Sequence, residues 1–450
     1  QSRSSAASDV YKRQPSFSAG WNVSREPFWR DLEHIVNNFK IRGSWGELGN
    51  CNTTAFYPFY QTMPTGVENS GWLINGKKPN TASAPGIVSA EMTWETVRSW
   101  NIGFDFGLLN NRLTGSFDYF VRNTLDMIGP APQLPATLGA TVPKVNNADM
   151  KAWGFEVEVS WRDRIKDFNY GVKFVLSDDQ RKVTRYPNEE LNRNQWYAGR
   201  MDGLVWGYET VGIAKTDAEM EAHLASLPNG GQSQLGSKWA AGDIMYKDLN
   251  GDGKISSGDG TLNDLGDLKV VANTQLRFKY GLTLDASWKG FDFSAFFQGV
   301  GKRDVVVGGP YFWGANGQGM WQAAAFKDHM DYFRPEDTES VFGPNVDAYY
   351  PRVIFGGGSS EGGKNTLTQS RYVQNGAYIR LKNLQLGYTL PSTITKKFAV
   401  NSLRVYVSGD NLWTGTKMRV FDPEVLGSTG DAGKAYPLAR VWSVGLNVNF

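Results

Sequence analysis

Apolar and polar residues alternate along most of this chain, most cleanly at its end. Trp442, Val444, Leu446, Val448 and Phe450 take every second position, with Ser443, Gly445, Asn447 and Asn449 between them. A strand turns successive side chains to opposite faces, so this segment has one wholly apolar face and one small, polar face. Tyr436 and Pro437 lead into it. Aromatic ends around an apolar stripe of roughly 9–11 residues suit a tilted strand crossing a bilayer. A soluble sheet accommodates the same pattern, so the remainder of the chain decides.

The alternation recurs. Phe39, Ile41 and Trp45 alternate with Lys40, Arg42 and Ser44, and Trp100, Ile102, Phe104, Phe106 and Leu108 with Asn101, Gly103, Asp105 and Gly107. After Asn110-Asn111 come Leu113, Phe117, Tyr119 and Val121, which makes a hairpin. Trp153 to Trp161 and Phe168 to Leu176 form another, with Glu156 and Glu158 on the polar side. Leu276 to Trp288 turns at Lys289-Gly290 into Phe291 to Gly299. Tyr372 to Leu390, Leu403 to Leu412 and Arg440 to Phe450 complete about ten strands, many longer than the usual 5–6 residues.

The connections sort by length. Leu109 to Asn111, Arg162 to Asp167, Lys289-Gly290 and Pro391 to Asn401 are short. Asn50 to Thr93, Thr124 to Met150, Arg181 to Asn273, Val300 to Ser370 and Trp413 to Tyr436 are long and alternate with them. Short turns on one side and long loops on the other are the layout of an outer-membrane barrel. The fold class expected is all-β: the C-terminal part of a large transmembrane β-barrel, with about ten antiparallel strands. The competing reading is a soluble β-sandwich, a carbohydrate-binding or hydrolytic domain with one solvated face. It leaves unexplained the Trp and Tyr residues at both ends of apolar stripes, which membrane interfaces favour.

Composition narrows the partners. The 450 residues carry 47 basic and 45 acidic side chains, net +2, which gives no reason to expect nucleic acid. Cys51 is the single cysteine, and His34, His223 and His329 lie far apart, so neither a disulfide nor a Cys/His metal site follows. No run of 18 apolar residues exists for a transmembrane helix, which leaves strands as the spanning element. Residues 1–14 are polar and unlike the rest of the chain; they are expected to be foreign to the fold, with residues 15–450 forming the barrel domain.

Asp248-Leu-Asn250-Gly-Asp252-Gly253-Lys254-Ile255-Ser256-Ser-Gly-Asp259 fits a calcium-loop pattern. Asp248, Asn250 and Asp252 would offer side-chain oxygens, Lys254 a backbone carbonyl, and Asp259 the acid where a bidentate Glu is usual. The alternative is an Asx-rich turn with no ion. In either case the expected role is to staple a long loop, with Ca2+ as a structural ion. No G-x-S-x-G, H-E-x-x-H or phosphate loop appears, so no catalytic residues are assigned. Trp206, Tyr208, Tyr311, Trp313 and Trp321 are aromatic residues of long loops that would either face a substrate or partner or pack the loops together.

Several stretches together resemble the SusC/RagA family of TonB-linked outer-membrane proteins of Bacteroidota. They include Ala19-Gly-Trp21-Asn-Val-Ser-Arg-Glu-Pro27-Phe28, Lys40-Ile-Arg-Gly-Ser-Trp-Gly-Glu-Leu-Gly-Asn50 and Gly242-Asp-Ile-Met-Tyr-Lys-Asp-Leu-Asn-Gly-Asp-Gly253. Trp288 to Phe293, Phe297 to Arg303, Tyr378 to Pro391, Val407 to Trp413, Asp422-Pro423-Glu424 and Tyr436-Pro437 are also similar. The resemblance implies a plugged barrel of roughly 22 strands. It implies uptake of an oligosaccharide or peptide, with a SusD-like lipoprotein as lid and the TonB-ExbB-ExbD complex acting through an N-terminal part. A siderophore receptor of the same architecture is the nearest alternative. The signal peptide, plug and first half of the barrel are expected to lie outside this sequence. Phe450 resembles the aromatic C-terminal signal read by the barrel-assembly machinery.

Overall fold

The computed structural model describes residues 14–50, 60–67, 72–89, 92–131, 137, 142–316, 325–355, 360–426 and 436–450. Eleven strands form one antiparallel sheet in chain order. They are β1 (Ser16–Asn22), β2 (Val36–Asn50), β3 (Glu95–Leu108), β4 (Leu113–Ile128), β5 (Asn146–Ile165) and β6 (Phe168–Arg185). Then come β7 (Arg277–Trp288), β8 (Phe291–Lys302), β9 (Tyr378–Thr389), β10 (Ser402–Thr416) and β11 (Val441–Asn449). The all-β expectation holds, with one strand more than the alternation shows. The extra strand is β1, whose Phe17, Ala19 and Trp21 alternate too briefly to stand out. Tyr372 is not a wall residue. The segment Val373–Asn375 pairs with Asp304–Val306 in a separate small sheet, and β9 begins at Tyr378.

Connections 23–35, 109–112, 166–167, 289–290 and 390–401 lie at one end of the sheet. Connections 51–94, 129–145, 186–276, 303–377 and 417–440 lie at the other. Antiparallel pairing between sequence neighbours forces this sorting.

Register fixes the two faces. Trp21, Ile41, Phe104, Phe117, Val157, Leu176 and Tyr280 form one row across β1 to β7. The next row, on the opposite face, is Arg42, Gly103, Asp118, Glu156, Ser177 and Lys279. On β11 the apolar residues point outward, with Trp442 67% and Val444 78% exposed. The wall thus displays its apolar side, and no helix among the described residues is long and apolar enough to span a membrane.

The buried core lies elsewhere. Tyr208, Ile213, Leu227, Ile244, Tyr246, Ile255, Val305, Val307, Phe312, Trp313, Phe333, Tyr350, Tyr372, Met418 and Leu426 belong to one cluster. All of them come from connections 186–276, 303–377 and 417–440. The long loops therefore build a globular body with its own core, including helix α1 (Asp217–Ala225), capped by the Thr216 hydroxyl accepting from Glu219 N–H.

Candidate functional site in the lumen and outer loops

The inner face of the wall is charged and internally paired. The Arg42 guanidinium on β2 reaches across β3 to Asp118 on β4 at 2.5 Å and also meets Asp105 at 3.2 Å. Gly103 lies beneath that reach; a Cβ there would come within 2.5 Å of Asp118 Oδ1. Lys173 pairs with Glu158, Lys279 with Asp179, and Arg404 with Asp292. These pairs bridge neighbouring strands or reach across one, which suits a wet interior where each is screened but holds register.

A denser cluster ties the last long loop into the lumen. Arg380 on β9 is almost fully buried and meets Asp422 at 2.6 Å and Glu424 at 2.8 Å. Lys382 takes the other oxygen of Glu424 at 2.8 Å. The buried Arg303 donates to the carbonyls of Pro423 and Leu426 at 2.9 and 2.6 Å. Both neighbours of β9 shift register at this point. Leu381 opposes Phe297 and Trp413, Asn383 opposes Phe296 and Asp410, and Lys382 has no opposite residue. A bulge of this kind re-aims a side chain. Here it changes which parity faces inward: Arg380 above it and Asn383 below it share the lumen side. A sequence signal exists, because Arg380 and Lys382 share even numbering with Leu384, Leu386 and Tyr388. Unbroken alternation would place them all on one face. Beside the cluster, Val175, Lys279, Phe296, Gln298, Pro423 and Leu426 line a cleft of about 660 Å³.

The loop body is held by a second buried polar network that the sequence did not suggest. Lys364 and Asp243 are both fully buried and pair at 3.0 Å. Lys364 also meets Glu361 at 3.1 Å, donates to Ser237 and Lys238 carbonyls, and sits over the Trp239 ring. Asp243 receives Arg352 at 2.7 Å and Asn365 Nδ2 at 2.8 Å. The network joins connection 186–276 to connection 303–377. Ser237 and Lys364 together pull the Glu361 carboxyl down from its ordinary 4.5 to about 2. The Tyr246 hydroxyl, fully buried and donating to Lys364 O, is pushed well above its usual range by desolvation.

Two of the loop aromatics singled out from sequence take the packing alternative. Tyr208 and Trp313 are 7% and 6% exposed, inside the loop core, so they do not face a substrate. Packing of Tyr208 on Tyr246 and of Trp313 on Tyr372 explains the placement. Trp206 is partly buried, and its indole N–H finds no partner among the described residues. Tyr311 remains exposed and stacks on Phe326 at 5.7 Å. Trp321 lies outside the described residues.

In the 248–259 loop the carboxylates turn toward backbone. Asp248 accepts from the N–H groups of Gly251 and Gly253, Asn250 from Asp252, and Asp252 from Lys254. Gly251 and Gly253 both sit at φ +76°, where a side chain would be strained. Asp259 accepts from Thr261 N–H. The acid that returns to close the loop is Asp267, fully buried, which accepts from Leu249 and Ser256. Burial, with Asp248 close by, pushes its carboxyl up. Among the described residues no three Asp, Glu, His or Cys side chains group around one point. Phe450 follows the last strand residue and is 83% exposed.

An outward apolar face, a charged inner face and loops sorted by length define a wall of an outer-membrane β-barrel. The chain matches the family described as TonB dependent receptor-like, beta-barrel, over residues 2–412, and it belongs to that family. It is 26% identical to TonB-dependent receptor P3 of Formosa agariphila, over 97% of this chain and 42% of that protein. It is 24% identical to TonB-dependent receptor SusC of Bacteroides thetaiotaomicron, over 97% of this chain and 40% of that one. Its fold superposes on the RagAB peptide transporter with a TM-score of 0.71 at 20% identity, covering 97% of this chain and 43% of that one. The chain thus spans about two fifths of the length of the curated relatives it matches. Its place is the outer membrane.

Proposed function

We propose that the protein containing this chain imports an oligosaccharide or a peptide across the outer membrane. The supporting observation is the single packed loop body standing over a charged, internally paired lumen face. That arrangement makes a vestibule for a hydrophilic cargo. The relatives named SusC and RagAB support a nutrient of this kind and a SusD-like lipoprotein as lid. TonB-ExbB-ExbD would supply energy through a part of the protein other than this wall. Deletion of the full-length gene, followed by uptake assays with labelled glycans and peptides, tests the reading. Growth that fails for lack of iron alone would replace it with the siderophore reading. We assign the exposed Phe450 ring to recognition by the assembly machinery.

We also propose that 248–259 takes a calcium ion. What supports it is the spacing of Asp248, Asn250, Asp252, Lys254 and Asp259, with the buried Asp267 carboxylate bonded to the same loop at Leu249 and Ser256. Calcium should raise the melting temperature of the full-length protein. No shift with calcium or chelator, in wild type and in Asp252→Ala alike, would leave only the self-closed turn.

A further inference from the structure

Like 390–401, which also carries short helical turns, the connection 23–35 is more than a tight turn. Two 3₁₀ segments fill it, Val23–Arg25 and Pro27–Leu32. The bonds Trp29 N–H to Glu26 O, Glu33 N–H to Arg30 O and Ile35 N–H to Leu32 O extend the same pattern to Ile35. At three residues per turn, side chains three apart share a column. Trp29, Leu32 and Ile35 make that column; Phe28, Asp31 and His34 make the next, and Arg30 and Glu33 the third.

The column is laid against the outside of the wall. Trp29 stacks flat on Phe39, with ring centroids 5.6 Å apart and planes 1° apart. Its indole N–H donates to Val36 O at 3.1 Å. Phe39 pairs with Phe106 in the outward apolar face of β2 and β3. Phe28 meets both Trp21 and Trp29 edge-on, with ring centroids 6.4 Å from each. Phe28 is 64% exposed, and Leu32 and Ile35 are exposed beside it. The apolar surface of this connection is therefore continuous with the lipid-facing wall, at the end that carries the short turns. In outer-membrane barrels that end is periplasmic.

We infer that residues 23–35 form a membrane foot. Its Phe28, Leu32 and Ile35 side chains enter the boundary between headgroups and acyl chains of the periplasmic leaflet. Its charged residues Arg25, Arg30, Asp31 and Glu33 face headgroups and water. The occupant is lipid because the column extends a face already in lipid.

The test uses the full-length receptor, with Cys51→Ser, in vesicles of phosphatidylethanolamine and phosphatidylglycerol. Nitroxide labels go on Phe28→Cys and Leu32→Cys, with Val172→Cys as the lipid control and Lys166→Cys as the turn control. Heat-modifiable gel mobility selects folded barrels. Oxygen should relax the labels at 28 and 32 several-fold more than a water-soluble nickel chelate does, as at 172. Labels that behave like the one at 166, or that are shielded from both reagents by protein, would overturn the foot. As a second measurement, brominated lipids should quench less Trp emission in Trp29→Phe than in the parent. An unchanged quenched fraction would also count against it.

Discussion

The wall and the loop body of this molecule solve folding in opposite ways. In the wall, apolar side chains point away from the protein, and strand-to-strand hydrogen bonds with paired charges hold the inside. In the loop body, Phe312, Tyr246 and Ile244 are buried from all sides, as in a soluble domain, with the Ile244 N–H on Asn365 and the Tyr246 hydroxyl on the Lys364 carbonyl. One chain therefore carries two environments, and the same residue type has reversed meaning in each. A Trp at position 442 is a lipid contact, whereas a Trp at 313 is core.

The largest effect should come from breaking the buried network of the loop body. Lys364→Ala leaves Asp243 buried with less compensation, a loss of about 3–5 kcal/mol for such a site. Connections 186–276 and 303–377 should then be cut by protease far faster, while the barrel keeps its heat-modifiable mobility. If the barrel unfolds along with the loops, the two regions are one cooperative unit and the contrast fails.

The faces of the wall give the next largest difference. Leu386→Arg places a charge in lipid and should cost about 2–4 kcal/mol in denaturant unfolding from vesicles. Gln385→Arg, one residue away on the lumen side, should cost well under that. Equal costs would mean that the faces are assigned wrongly.

Acid should separate the regions more gently. Glu361 titrates at about 2, below its ordinary 4.5, so its contribution is fully present above 4.5. It is lost as pH falls from about 4.5 to about 2. Near-ultraviolet circular dichroism of the loop-body aromatics should weaken across that window, and less so in Glu361→Gln. Identical curves for the two proteins would remove Glu361 from the account.

The wall was legible in the sequence because lipid on one side and water on the other impose a period of two over long strands. Trp153 to Trp161 and Trp442 to Phe450 show that period unbroken, and the sorted loop lengths then favour a barrel over a soluble sheet. The loop body was not legible in the same way. Lys364 and Asp243 meet across more than a hundred residues, and no local pattern announces a buried lysine. Loop aromatics were visible, but whether a ring packs or binds depends on what folds over it, and Tyr208 and Trp313 proved to pack. The 248–259 motif was read as one twelve-residue unit. The chain instead closes it with Asp267, eight positions beyond Asp259, because that carboxyl can satisfy Leu249 and Ser256 together. The Arg380 cluster was present only as short stretches shared with relatives.

The unopposed Lys382 on β9 has a consequence for insertions and deletions. Losing any one residue from a spanning strand swaps inside for outside along part of its length. Position 382 is the exception in β9. Without it, Leu381 would still look to lipid and Asn383 to water, and both neighbouring strands could keep their partners. What such a deletion would forfeit is one of the two cations on Glu424, Arg380 remaining as the other, and not the sidedness of the strand. A shortened β9 of this kind should therefore still enter the membrane with its faces correct, the final loop staying on Arg380 and Arg303 with one ion pair fewer.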